Sequence, residues 1–557
     1  MRKIFTNSQV FVVLLVLLNM STYAFQKEKP VDKSTVQQGA KLMGLEFTNA
    51  EIDSMMNGLR NQIQQFNSNR GVKLDNSVPP ALYFNPLPTG FIIPKASSSF
   101  KAGKIGRVMM PKNENDLAFY TVRELGILIK TRQITSEKLT RFFIKRLKKY
   151  DPKLKCVITL TEDLAIKQAK RADEEIEKGR YRGLLHGIPY GAKDLLAKEG
   201  YKTTWGAAPY KNQTINTDAT VIQRLEKAGA VLVAKLTLGA LAWGDVWYGG
   251  TTRNPWNTKQ GSSGSSAGSA SAVSAGLVPF AIGTETLGSI VSPSTRCGVT
   301  GLRPTYGRIS RTGAMALSWT MDKIGPMTRS VEDLAIVFKA IYGKDSKDLS
   351  LFDAPFNYNG TQTVAQMKNT IKVGYVKNFF DRKYGFKAYD EATLKKMKEI
   401  GFELVPVELP KMPQITFILW AEAAAAFDEL TRSNRDDMLV SQIKQAWPNF
   451  FRMARFVPAV EYIQANRLRT VLIEQMHQKL RNIDVFLAPS FAGSTLTMTN
   501  LSGHPCVVLP NGFTPQKTPT SITFIGKLFG EDKLLQVARA YQEATNFHKK
   551  HPDWVKK

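Results

Sequence analysis

The sequence predicts an α/β fold, and three observations carry that reading. Helix-like stretches with apolar residues every three or four positions alternate with short apolar runs at residues 230–234, 371–376, 402–407, 484–489 and 506–510. Alternation of that kind layers helices on a sheet. The composition, 43% hydrophobic and 22% charged, is that of a chain that folds around a core. At 557 residues the chain can bury a large one, and a large α/β protein can hold such a length as one unit.

The N-terminus reads as a secretory signal over residues 1–24. Arg2 and Lys3 supply the positive charge, residues 10–18 the short apolar run, and Thr22-Tyr23-Ala24 a small-residue cleavage site. The run is too short for a membrane span, and no other segment offers 18 uncharged apolar residues. The mature chain is therefore expected in the periplasm or outside the cell, without an integral membrane span. Residues 25–117 read as an N-terminal helix and an extended linker. Ile52, Met55, Met56, Leu59 and Ile63 recur on one helical face. Residues 71–117 are rich in Pro, Ser and Asn, with Pro79-Pro80 among them, and read as a segment wrapping the main domain.

The main domain is expected over residues 118–557. Thr121-Val122-Arg123-Glu124 has the pattern of a capping box. Ser136 opens a helix with Leu139, Phe142, Phe143 and Leu147 inward, and Leu164, Gln168, Ala169, Ala172 and Ile176 trace another, stopped by Gly179. Residues 184–192 form a turn and a short strand that delivers Lys193. Residues 220–227 read as a helix ended by Gly229, ahead of a buried strand. Residues 338–369 look like a loop-rich insertion. A helix at 392–400 ends at Gly401, residues 414–480 are mostly helical, and a helix at 534–547 closes the chain. There are no internal repeats.

Residues 260–311 are built for chemistry. Glycine and serine crowd the first part, but the run passes into small apolar residues suited to a packed helix and a buried strand, unlike a flexible Gly/Ser linker. A second turn, Gly283-Thr284-Glu285-Thr286-Leu287-Gly288-Ser289, again sets a serine beside glycine. Such loops let one hydroxyl and several N–H donors meet a single carbonyl. The stretch resembles the signature of the amidase signature family of serine hydrolases. Gly264-Ser265-Ser266-Ala267-Gly268-Ser269 matches the family's first loop and Glu285-Thr286-Leu287-Gly288-Ser289-Ile290 its second, with Ser265 and Ser289 standing 24 positions apart. Placing the first loop at Gly261-Ser262-Ser263-Gly264 gives 27 and fits less well. The upstream lysine of the pattern is met by Gly187-Ile188-Pro189-Tyr190-Gly191-Ala192-Lys193-Asp194. The likeness covers residues 119–329 well, with the core motifs in 183–329, and later segments loosely.

The resemblance implies a large mixed, twisted β-sheet covered by helices on both faces, and hydrolysis of a carboxamide through an acyl-serine. It implies Ser289 as nucleophile, Ser265, on a cis peptide bond, as relay, and Lys193 as base. A lysine titrates near 10.4 in water, so burial must lower it, and the apolar flanks Ile188-Pro189 and Leu195-Leu196 suit that. Asp194 would oppose it and is expected to point elsewhere. The backbone N–H groups of Thr286, Leu287, Gly288 and Ser289 are the expected oxyanion hole. Leu287 stands where the family has glycine, which a main-chain donor tolerates at negative φ. Val291 stands where arginine is common. Ser263, Ser266, Ser269 and Ser271 read as turn, capping or packing serines, with Ser266 and Ser269 supporting the triad through hydrogen bonds.

One rival motif is present. Gly264-Ser265-Ser266-Ala267-Gly268 also fits G-x-S-x-G, which would make Ser266 the nucleophile with His504 as base. That elbow must follow a strand, whereas residues 254–260 read as a polar turn. The net charge of +29 is scattered, without zinc-finger spacing or an RNP-like run, so no nucleic-acid partner is expected. The basic surface reads as solubilising. Cys156, Cys297 and Cys506 are too far apart for a disulfide framework, and the five histidines have no metal spacing, so neither a metal nor a cofactor is expected. Trp205, Trp243, Trp247 and Trp319 are candidates for an apolar pocket. The expected partner is a small-molecule or peptide amide. The alternatives are an A-type component of a glutaminyl-tRNA amidotransferase, against which the signal segment argues, and a catalytically inactive binding protein on the same fold, against which the intact Lys193, Ser265 and Ser289 argue.

Overall fold

The structure is a computed structural model in which residues 31–556 are described; the expected signal segment lies outside them. The chain forms two compact units that divide between Leu74 and Asp75. The first holds two helices, α1 (Lys33–Leu42) and α2 (Asn49–Arg70). In α2, Thr48 and Glu51 form a reciprocal capping box, and Ile52 and Met56 of the expected face are buried. The helix α1 is polar, and no apolar period announces it in the sequence.

The second unit is built on an 11-stranded sheet. In chain order the strands are β1 (Val157–Leu160), β2 (Pro189–Lys193), β3 (Val231–Leu236), β4 (Phe280–Glu285), β5 (Thr300–Arg303), β6 (Lys323–Thr328), β7 (Val373–Tyr375), β8 (Leu404–Pro406), β9 (Val485–Pro489), β10 (Cys506–Phe513) and β11 (Pro519–Gly526). Their spatial order is β8-β7-β9-β11-β10-β5-β6-β4-β2-β3-β1. The sheet is mixed: β2 runs parallel to β3 and β4, whereas β6 is antiparallel to β4 and β5.

Both faces are covered, and the strands show why. Along β3, Leu232 packs into one apolar cluster while Val231 and Val233 pack into another. Along β4, Phe280 and Ile282 part from Ala281 in the same way. Successive side chains of a strand point to opposite faces, so strands apolar at every position need helices on each side. The helix Ala267–Ser274 contributes to one cluster, Val331–Ile341 and Glu531–Thr545 to the other, and Val291–Cys297 to both.

Parallel pairing aligns Gly191 of β2 with Ala281 of β4. Their C-terminal residues, Lys193 and Glu285, therefore leave the sheet at one edge, the edge where open α/β sheets bind ligands. A Cβ at Gly191 would lie 2.3 Å from Leu236 Cδ1 of the neighbouring β3, so the glycine leaves room for that side chain.

Some boundaries differ from expectation. The helix Val331–Ile341 takes the first residues of the stretch expected to be loop, and that stretch also holds the strand Asn357–Asn359. This strand pairs in parallel with Ser99–Lys101, inside the expected linker. The strand β11 lies where the sequence shows no unbroken apolar run. The three cysteines are buried and unpaired. Among the described residues, no helix is long and apolar enough to cross a membrane.

Candidate active site

Lys193 is the last residue of β2 and is fully buried. Its Nζ stands 2.8 Å from Ser265 Oγ, 2.8 Å from Thr284 Oγ1 and 3.1 Å from Ser266 Oγ, with the Thr284 carbonyl at 3.5 Å. Four oxygens thus surround one amine, and none of them is a carboxylate. Burial lowers the lysine pKa to about 7, against the opposing pull of Asp322 and Glu285. Asp194 points away, as expected. Its Oδ1 lies 2.7 Å from Lys235 Nζ, and its Oδ2 accepts from the amide and hydroxyl of Thr204. The neighbouring buried pair therefore consumes the carboxylate that would otherwise hold Lys193 charged.

Ser265 sits between the short strand Asn257–Gly261 and the helix Ala267–Ser274, and the Gly264–Ser265 peptide bond is cis. A Cβ on Gly264 would fall 1.7 Å from the Gly244 carbonyl oxygen, which makes this glycine obligatory. Ser266 joins the two loops: its hydroxyl donates to the Thr284 carbonyl, accepts from the Thr284 amide, and its own amide donates to the Ser289 carbonyl at 3.1 Å. Ser269 corrects the expectation. Its hydroxyl bonds the Ile282 carbonyl, 3.1 Å away, and supports the packing of its helix on β4, not the triad.

The second loop is shaped by Glu285. One carboxylate oxygen accepts from the amides of Ile290 and Val291, at 2.8 and 2.9 Å. The other accepts from Arg303, 2.7 Å away, and from Asn500, 2.8 Å away. Burial would raise this carboxyl, but Arg303, the Val291 amide and Asn500 outweigh it and hold the pKa at about 2. Residues 286–289 arch over this clamp. Their four amides donate to no protein acceptor among the described residues. Gly288 takes φ +85°, while Leu287 stays out of the positive-φ region, so the family's glycine is not needed there. The Thr286 hydroxyl donates to Asp322, which also accepts from the amides of Leu317 and Ser318. Ser289 is half-buried, its peptide against Ser266; among the described residues its hydroxyl has no hydrogen-bond partner, so the Ser265–Ser289 link is not formed in this structure.

A cavity of about 230 Å³ opens beside this cluster, with Thr284 and Thr286 among its lining residues. Of the four tryptophans expected as candidates for a pocket, Trp319 lines this cavity, Trp243 lines a separate groove, and Trp205 and Trp247 are buried.

The rival elbow fails on geometry. A short strand does precede it, against expectation, but His504 is held by Ser502 at 2.8 Å and burial depresses its pKa to about 3. Thr284, Glu285, Arg303, Asn500 and Asp322 are the site residues that sequence reasoning missed.

Comparison with known proteins identifies the family. The Amidase family model matches residues 138–501. The chain belongs to the amidase family. It is an enzyme of carbon–nitrogen bonds in amides. The amidase is 31% identical over 487 residues to the A-type component of glutamyl-tRNA(Gln) amidotransferase from Acinetobacter baumannii, an overlap of 78% of this chain and 98% of that one. An amidase family protein from Bacillus anthracis superposes with a TM-score of 0.70 at 25% identity, covering 78% of this amidase and 92% of the other chain. The peptide amidase of Stenotrophomonas maltophilia does so with a TM-score of 0.68 at 29% identity, covering 78% and 98%.

Proposed function

We propose that this amidase hydrolyses a linear carboxamide through an acyl-serine on Ser289, with Ser265 as relay and Lys193 as base. The observation that carries the reading is the uncharged-oxygen cage of Lys193. A neutral amine has two N–H groups and one lone pair. Ser266 Oγ and Thr284 Oγ1 take the two donors, and the lone pair is left facing Ser265 Oγ at 2.8 Å.

The steps follow from these positions. Ser265 gives its proton to Lys193 while taking one from Ser289, and Ser289 Oγ attacks the carbonyl carbon. The oxyanion that forms is met by the amides of Thr286, Leu287, Gly288 and Ser289, which have no competing protein acceptor among the described residues. As the C–N bond breaks, the Lys193 proton returns through Ser265 to the leaving nitrogen. Water then cleaves the ester by the reverse relay and frees the acid. The Ser289 hydroxyl has to close on Ser265 when substrate binds, and catalytic hydrogen bonds are commonly long before it does.

A fluorophosphonate should label Ser289, and Ser289→Ala should abolish the labelling. Lys193→Ala should cut amide turnover by about three orders of magnitude or more with the fold retained. Undiminished labelling of the serine variant, or near-normal rates in the lysine variant, would remove the reading.

The relatives named as glutamyl-tRNA(Gln) amidotransferase components, the first aligned over 98% of its length, favour one second reading: a component that supplies ammonia for tRNA-bound glutamine. Both readings share the same attack on a carboxamide and differ in the acyl group and partners.

A further inference from the structure

The cavity beside Lys193 has one wall that does not belong to the sheet, its helices or their loops. Residues 77–83 supply it, through Ser77, Pro79, Pro80, Leu82 and Tyr83. The span is pinned at both ends. At one end the Asn76 side chain accepts from the Ala316 amide at 2.8 Å and donates to the Ala316 carbonyl at 3.0 Å. At the other, Phe84 stands edge-on to Tyr306 at 5.0 Å, under the Arg469 guanidinium at 3.5 Å. Between the pins the seven residues are exposed on their outer side, Leu82 by 75% and Tyr83 by 55%. The amides of Ala81, Leu82 and Tyr83 make no hydrogen bond to the body among the described residues, and Pro79 and Pro80 have none to make. Two prolines keep the crossing extended and stiff. The result is a strap, anchored at two points and stiff between them.

What the strap encloses has a consistent chemistry. Leu195, Ala242, Met315, Leu317, Trp319 and Ile324 line the interior. Of the charged side chains that also reach it, Arg311, Asp322, Lys323 and Asp348 are bonded within the protein, and among the described residues Lys347 is not. The Arg311 guanidinium bonds the Trp319 carbonyl, Tyr306 Oη and Ser350 Oγ, with Asp348 3.7 Å from its Nε. Asp322 accepts from Thr286, Leu317 and Ser318, and Lys323 donates to the Met321 carbonyl. Lys347 is exposed. An α-amino acid entering this space would bring two charges against mainly apolar side chains and buried polar groups already bonded to one another, a cost that burial makes large.

We propose that residues 77–83 are the specificity wall of this amidase and that the space behind them selects amides with an uncharged, apolar acyl group. The proposal rests on the hydrolytic reading of Ser289 above, and the experiment separates the two. With the full chain, kcat/KM is measured for 3-phenylpropionamide, propionamide and glutamine. Burying one phenyl group gives an expected preference for the aryl amide over propionamide of roughly 10- to 100-fold, and glutamine should be the poorest of the three. Two variants then test the wall: Asn76→Ala, which unpins one end, and a Gly/Ser replacement of residues 79–83 at unchanged length. Both should lower the ratio of kcat/KM for the aryl amide to that for propionamide by about tenfold, through KM more than kcat. Either an unchanged ratio in both variants or glutamine as the best substrate would overturn the proposal. Failure of the unaltered protein to hydrolyse any amide and to take a fluorophosphonate would instead strike the hydrolytic reading, and the strap with it.

Discussion

Lys193 shows how a lysine becomes a base without a special sequence around it. No residue beside it in the chain carries the effect; burial at the end of β2, among hydroxyls and a carbonyl, does. Because the folded pKa is about 7, the free amine is the minor form below that pH and the major form above it. The rate kcat/KM should therefore rise with pH and level off above about 7, and a profile flat from pH 5 to 9 would point to another base. The same shift has a sign in stability. The amine binds its proton less tightly folded than unfolded, so the unfolded chain holds more protons between about 7 and 10.5, and stability gains as pH rises through that window. Lys193→Met should remove this slope, as chemical denaturation at pH 7 and pH 9.5 would show. Lys193 was legible in the sequence because its motif is local. Of its cage, Ser265 and Ser266 were legible through the serine-rich motif, whereas Thr284, 91 positions away, was not.

At the scale of elements, the loop after β4 owes its shape to a carboxylate at the strand's last position. Glu285 ties back the amides of Ile290 and Val291, and the four amides of residues 286–289 are left without a protein acceptor among the described residues. Arg303, from β5, and Asn500 hold Glu285 in turn. Arg303 is fully buried and also donates to Thr499 and to the His504 carbonyl. Removing one member of such a pair strands the other's charge, so Arg303→Met should cost about 3–5 kcal/mol and lower kcat together with stability. An unshifted urea midpoint would refute the clamp. Strands with an even apolar run, such as β3 and β9, were readable directly. The strand β11, Pro519-Thr520-Ser521-Ile522-Thr523-Phe524-Ile525-Gly526, hid behind its hydroxyls: Ser521 and Thr523 are buried by bonding Ser490, a contact no local pattern reveals. The helix α1 escaped for the opposite reason, having a single buried residue, Ala40.

At the scale of the whole molecule, the chain divides at Leu74–Asp75, ahead of Asn76, the first pin of the strap. A chain beginning at Asp75 should keep the sheet, the serine–lysine cluster and the cavity. Its Tm should stay within about 2 °C of the full chain, a difference of less than about 1 kcal/mol for a protein of this size, with kcat/KM preserved. A larger fall would assign residues 31–74 a share of the core. The fold class was legible because alternation of helix and apolar strand is written along the chain. The linker's course was not, since Ser99–Lys101 pairs with Asn357–Asn359, some 258 positions on.

The three thiols bear on how such a chain matures. Each is enclosed, and none is joined to another. No crosslink contributes to holding the sheet together, so adding or removing a reductant leaves the native state no looser. Its folding then needs no disulfide to be formed or exchanged.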